Sequence, residues 1–103
     1  MFTNQHPPRY ASYEVINSLP DEAIDFVWYM LDNYMQGRFT MTNLLKFNLI
    51  NSSNHLSYDY LVNGEEVATF DTPYPFENQF PRSIVVYDNG DEQIIALPSE
   101  INL

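Results

Sequence analysis

The chain has no cysteine. Disulfides, cysteine-ligated zinc sites and a thiol nucleophile are therefore excluded, and a reducing compartment is compatible with that absence. Positive charge is nearly as scarce. Four Lys and Arg stand against 14 Asp and Glu, a formal charge of −10 over 103 residues. The four cations, Arg9, Arg38, Lys46 and Arg82, are scattered singly. Binding a nucleic-acid backbone needs clustered cations that displace counterions, so direct nucleic-acid binding is not expected. Anionic membrane surfaces are disfavoured for the same reason. No apolar run approaches the ~20 residues of a spanning helix. Met1 to Tyr10 lacks the basic and apolar regions of a signal peptide. A soluble, cytoplasmic protein is expected.

What the chain does contain is apolar and aromatic. The hydrophobic fraction is 45% and the aromatic fraction 16%, both too high for a disordered acidic chain. One domain with a single modest core is expected, with no repeat, linker or low-complexity segment. The acid should then lie on the outside of a folded body, and a basic protein surface is its natural complement.

Residues 1–9 read as a loose arm containing Pro7-Pro8. Tyr10 to Ile16 is aromatic and β-branched and reads as a first strand. Ser18 suits an N-cap, Pro20 a first turn, and Asp21 and Glu22 the positive end of a helix. Ile24, Val27, Trp28, Leu31, Tyr34 and Met35 recur at helical spacing as a buried stripe. The helix is predicted from Leu19 to Met35, with Gly37 as its glycine stop. Asn43 to Ile50 and Leu56 to Val62 read as strands around the turn cluster 51–54. Asn63-Gly64 predicts a type I′ hairpin turn, and Glu65 to Phe70 its partner strand. Residues 71–82 carry Pro73, Pro75 and Pro81 between Tyr74, Phe76 and Phe80, and read as a loop packed on the body. Ser83 to Tyr87 and Gln93 to Leu97 flank a second Asn-Gly turn, Asn89-Gly90. The sum is an α+β fold: one amphipathic helix on a mainly antiparallel sheet of about five to six strands.

Several candidate sites follow. Asp21, Asp25 and Asp32, flanked by Glu22, share a helix face; they could imitate a row of phosphates or simply be solvated. Glu65, Glu66, Asp88, Asp91 and Glu92 add acid at the two hairpin tips. The Pro-aromatic loop either presents anchors to a partner or caps the core. His55 and Asp59 are about 13 Å apart on a strand, too far for one metal, and His6 falls in the arm, so no metal or cofactor is expected. Glu65-Glu66 and Asp91-Glu92 adjoin tight turns, where water keeps carboxylates ordinary. Residues 88–91 lack the twelve-residue frame of a calcium loop. No serine has a nucleophile-elbow context, and no phosphate or dinucleotide fingerprint occurs. A non-enzymatic protein is expected.

Arg9-Tyr10, Leu19-Pro20, Phe26-Val27-Trp28 with Leu31-Asp32 on one helix, and Leu45-Lys46-Phe47-Asn48-Leu49 in the next strand together resemble the domain of unknown function 960 of Gram-positive bacteria and their mobile elements. The resemblance covers roughly residues 9–75 and places no counterpart for the hairpin 83–97. Thr42-Asn43-Leu44-Leu45 and Gly64-Glu65-Glu66-Val67 depart from the family pattern. The resemblance implies a phage or mobile-element setting, beside genes that disarm host defences. Some type II-A anti-CRISPR proteins are similar in size and acidity. It therefore implies an inhibitor that occludes the basic nucleic-acid grooves of a type II CRISPR nuclease with its guide RNA. The contact residues expected from charge are Asp21, Glu22, Asp25, Asp32, Glu65, Glu66, Asp88, Asp91 and Glu92. A structural or assembly protein, with homo-oligomers, and an antitoxin-like neutraliser of another basic protein stay open as alternatives.

Overall fold

The computed structural model describes residues 8–39 and 42–101. Six strands make one sheet: β1 (Arg9–Ala11), β2 (Leu44–Ser52), β3 (His55–Val62), β4 (Glu65–Pro75), β5 (Ser83–Asp88) and β6 (Gln93–Ala96). Two helices lie between β1 and β2. They are α1 (Tyr13–Ser18) and α2 (Asp21–Met30), the latter prolonged by a π-helical turn over Leu31–Met35. The strand order is β1-β6-β5-β2-β3-β4. Neighbours are antiparallel except β1, which runs parallel to β6. The α+β class and the mainly antiparallel sheet are as expected.

The core follows from period two in the strands and the apolar stripe of the helix. Leu45, Phe47 and Leu49 of β2 and Leu56, Tyr58 and Tyr60 of β3 are buried with Ile84, Val86 and Ile95. Ala23, Ile24, Val27, Met30, Leu31 and Met35 close over them from the helical side. Tyr58 is fully buried, and its hydroxyl donates to the Ala23 carbonyl at 2.7 Å, pinning α2 to the sheet. Asn63 and Gly64 have φ of 54° and 82°, the paired positive values of the expected I′ turn. In the β5–β6 loop Gly90 has positive φ and Asn89 does not. The Asn89 side chain accepts from the Asp91 and Glu92 N–H groups and closes the expected Asn-Gly turn as a four-residue loop.

Local signals misled in the first third of the chain. Residues 1–7 of the expected arm, with His6, lie outside the described residues, while Arg9 already belongs to β1. The strand expected over Tyr10–Ile16 stops at Ala11, and Tyr13–Ser18 is helical. Ser12 caps that helix, its Oγ accepting from the Val15 N–H, and Val15 is completely buried. A cap and a core contact thus outweigh β propensity. Ser18 is the last residue of α1, its hydroxyl donating to the Glu14 carbonyl, so Pro20 and not Ser18 occupies the N-cap of α2. Near its end the helix widens, and the Gln36 N–H reaches back to the Leu31 carbonyl. That wider turn leaves Tyr34, expected in the buried stripe, substantially exposed. The expected loop 71–82 begins later than foreseen, because β4 continues through Pro73 to Pro75. Prolines are tolerated there because β4 is the last strand of the sheet.

The register fixes the two ends of the molecule. The β2–β3 turn and the β4–β5 connection lie at one end; the β3–β4 and β5–β6 turns lie at the other. The start of α2 sits at the first end, where Pro20, Glu22 and Ala23 meet Leu56, Tyr74 and Pro75. Asp32 reaches Arg9 at the start of β1, whose partner Gln93 opens β6 at the opposite end.

Candidate functional site

The first turns of α2 bring four residues onto one stripe. Glu22, Asp25, Phe26 and Tyr29 stand at i, i+3, i+4 and i+7, neighbours on a helix surface. The end of β4 faces that stripe with Pro73 and Tyr74. Together these six residues line a groove of about 290 Å³. Its aromatic wall is packed ring on ring. Phe26 meets Tyr29 at 5.8 Å and the edge of Tyr74 at 6.1 Å. Behind it, Phe26 stacks on buried Tyr58 at 6.3 Å. The wall continues through Tyr29 to Tyr34 and from Tyr34 to Phe70. Tyr29 and Tyr34 are exposed, as are Glu22 and Asp25. Burial pushes the Tyr58 phenol far above its ordinary pKa, with the charge of Tyr74 as a smaller cause. The groove therefore rests on a phenol that stays neutral.

On the adjoining stripe of α2, in a cleft that Asp21 and Asp25 also line, a second aromatic-acid pair is already filled from within. Arg9 Nη1 and Nη2 donate to the two oxygens of Asp32 at 2.8 and 2.7 Å. Its guanidinium lies 4.8 Å from the Trp28 ring centroid. Arg9 Nε donates to buried Gln93 Oε1 at 2.8 Å. Asp32 is thus committed to tying α2 to β1 and does not join the outward acids as expected from the sequence.

The remaining expected contact residues divide. Asp21, Glu22 and Asp25 share one region at the start of α2. Glu65 and Glu66 begin β4 at the far end of the sheet, about 25 Å away along an eight-residue strand. Asp91 and Glu92 lie at that far end too, roughly 14 Å from the Glu65 turn across three strand spacings. Asp88 is buried. Its carboxylate accepts from the Gly90 N–H at 2.8 Å and Gln93 Nε2 at 3.3 Å. Burial pushes its pKa up, and hydrogen bonds, including these two, more than offset that and hold it below the ordinary value. It organises its loop and is not a surface contact.

The sheet also gathers residues that the sequence kept apart. His55, Ser57 and Asp71 share a groove of about 250 Å³. Ser57 is fully buried and its hydroxyl donates directly to Asp71 at 2.6 Å, while the His55 ring contacts the Ser53 carbonyl. A histidine base between hydroxyl and carboxylate, the arrangement of a serine nucleophile, is not formed. Asp59 is buried and accepts from Thr69. Among the described residues no group of three metal-ligating side chains occurs, and no helix is long and apolar enough to cross a membrane.

A family model described as a staphylococcal protein of unknown function (DUF960) matches residues 8–100, so the match takes in the last hairpin as well. The chain is also similar to a crystal structure of a protein of unknown function from Enterococcus faecalis, with a TM-score of 0.90 at 29% identity over 100% of both chains. No curated protein matches it. Neither similarity carries the expected likeness to anti-CRISPR proteins.

Proposed function

The chain belongs to the DUF960 family, described as staphylococcal proteins of unknown function, and we propose that it is a non-enzymatic binding protein that engages a basic surface on a protein partner. One observation carries this reading. Asp21, Glu22 and Asp25 are exposed at the start of α2, and among the described residues Arg9–Asp32 is the ion pair formed. Carboxylates that form no ion pair among the described residues, beside exposed aromatic rings, combine electrostatic steering with the residue types that dominate interface hot spots.

The partner of first choice is a type II CRISPR nuclease with its guide RNA, whose nucleic-acid channels are positively charged. Another basic nucleic-acid-binding protein would be engaged by the same chemistry. Assembly through sheet edges is less well served. The exposed edge strand β4 carries Glu65, Glu66, Pro73 and Pro75 and shifts register twice against β3, devices that blunt edge-to-edge pairing.

The test is capture of purified nuclease, with and without guide, by the tagged protein at low and high salt. The comparison is a variant carrying Asp21→Lys, Glu22→Lys and Asp25→Lys. Salt-sensitive capture by the parent and its loss in the variant, at a nearly unchanged Tm, supports the reading. Equal capture by both removes the helix from it. Capture of a different basic protein changes the target, and self-association alone moves assembly to the front.

A further inference from the structure

We propose that the groove between α2 and the end of β4 is a receptor for an arginine side chain of that partner. The inference rests on the basic-partner reading and narrows it to one place and one chemical group. The occupant is argued from charge complementarity and from the way this chain handles its own arginine. Arg9 is held on α2 by a carboxylate and an aromatic ring four residues apart, Trp28 and Asp32. The neighbouring stripe of the same helix repeats that pair in reverse order, Asp25 and Tyr29, and adds Glu22 as a second carboxylate. No hydrogen bond or ion pair to Glu22 or Asp25 occurs among the described residues.

The cavity has the right kind of walls. Aromatic faces attract a cation through the ring quadrupole, and guanidinium also stacks on them. Two carboxylates at one mouth accept its forked N–H donors, a geometry that ammonium cannot match bidentately. Phe26 is fixed from behind by Tyr58, and Tyr58 by the Ala23 carbonyl, so the wall is built before any ligand arrives.

The probe is a blocked five-residue alanine peptide with one central arginine, titrated into the full chain and followed by amide NMR shifts at low salt. Lysine and citrulline peptides are run in parallel. Shifts concentrated at Glu22, Asp25, Phe26, Tyr29 and Tyr74, larger for arginine than lysine and absent for citrulline, are expected. Glu22→Gln with Asp25→Asn should weaken the arginine response about fivefold. Tyr29→Leu should weaken it about threefold and erase the preference over lysine. Equal response to lysine and arginine would overturn the assignment to guanidinium. Shifts at Glu65, Glu66 or Asp91 instead would overturn the groove and keep the basic-partner reading. A captured basic partner with a silent groove has the same meaning. No response to either cationic peptide, together with no salt-sensitive capture, would remove both.

Discussion

Arg9 offers the sharpest test of how the two neighbouring stripes of α2 differ. Substitution by Met keeps an unbranched stem and removes three interactions together. The side chains of Arg9 and Asp32 are 16% and 30% exposed, so their bidentate pair is partly solvated and contributes about 1 kcal/mol. The contact over Trp28 contributes roughly 0.5–1 kcal/mol. Gln93 is fully buried, and losing the Nε donor strands its Oε1 at a cost of roughly 1–3 kcal/mol. The sum is about 2.5–5 kcal/mol, a large share of the 5–15 kcal/mol typical of a whole domain. At about 4–8 °C per kcal/mol the Tm should fall by roughly 10–40 °C. Urea unfolding at neutral pH measures this directly, with Asp32→Asn beside it. That variant keeps Arg9 on Gln93 and Trp28 and should cost less than about 1 kcal/mol. An Arg9→Met variant within about 0.5 kcal/mol of the parent would refute the reasoning. So would Asp32→Asn costing as much as Arg9→Met, because the buried carboxamide would then contribute nothing.

Tyr58→Phe should cost roughly 0.5–1.5 kcal/mol, because it removes a buried bond to the Ala23 carbonyl, which keeps its helical N–H donor within α2. The Tyr58 pKa is raised above its ordinary 10.0 in the fold, so its contribution is complete below that value and is lost as pH rises past it. Unfolding measured at rising alkaline pH should therefore fall more steeply for the parent than for Tyr58→Phe; parallel curves would contradict this. Asp88 has the opposite sign. Its pKa is held below the ordinary 3.8, so its contribution is present above that value and lost as pH falls through the folded value. Asp88→Asn should cost roughly 1–2 kcal/mol at neutral pH and flatten the acid limb of stability; an unchanged acid limb would count against it.

The sheet was legible where side-chain alternation and turn chemistry agreed. Leu45, Phe47 and Leu49, then Leu56, Tyr58 and Tyr60, point into one core because a strand shows alternate residues to one face. Asn63-Gly64 named its turn because both positions need positive φ. What failed were long-range facts. The parallel pairing of β1 with β6 joins residues 84 positions apart in register, Arg9 with Gln93, and nothing local announces it. Tyr13–Ser18 has the residues of a strand and the environment of a helix. The π-helical turn displaces Tyr34 without any proline or glycine to mark it. The end of β4 shows that proline argues only against a central strand, and an edge strand keeps it.

The groove was half legible for the same reason. Glu22, Asp25, Phe26 and Tyr29 have helical spacing that could have been grouped, but the sequence pattern emphasised Asp21, Asp25 and Asp32 because a count of charge treats carboxylates alike. The structure sorts them by what they already accept. Asp32, Asp59, Asp71, Asp88 and Glu100 take hydrogen bonds from Arg9, Thr69, Ser57, Gly90 and Ser12 respectively. Those bonds stabilise strands, loops and termini. Asp21, Glu22 and Asp25 have no such bond among the described residues, and two of them border a cavity with aromatic walls. A carboxylate bound to an internal donor has exchanged its water already and gains little from a second cation. Partner recognition should therefore depend on the start of α2 far more than its share of the total charge implies. Reversing Glu65 and Glu66, equal in formal charge to Glu22 and Asp25, should change association rate and salt dependence while leaving the bound lifetime nearly intact.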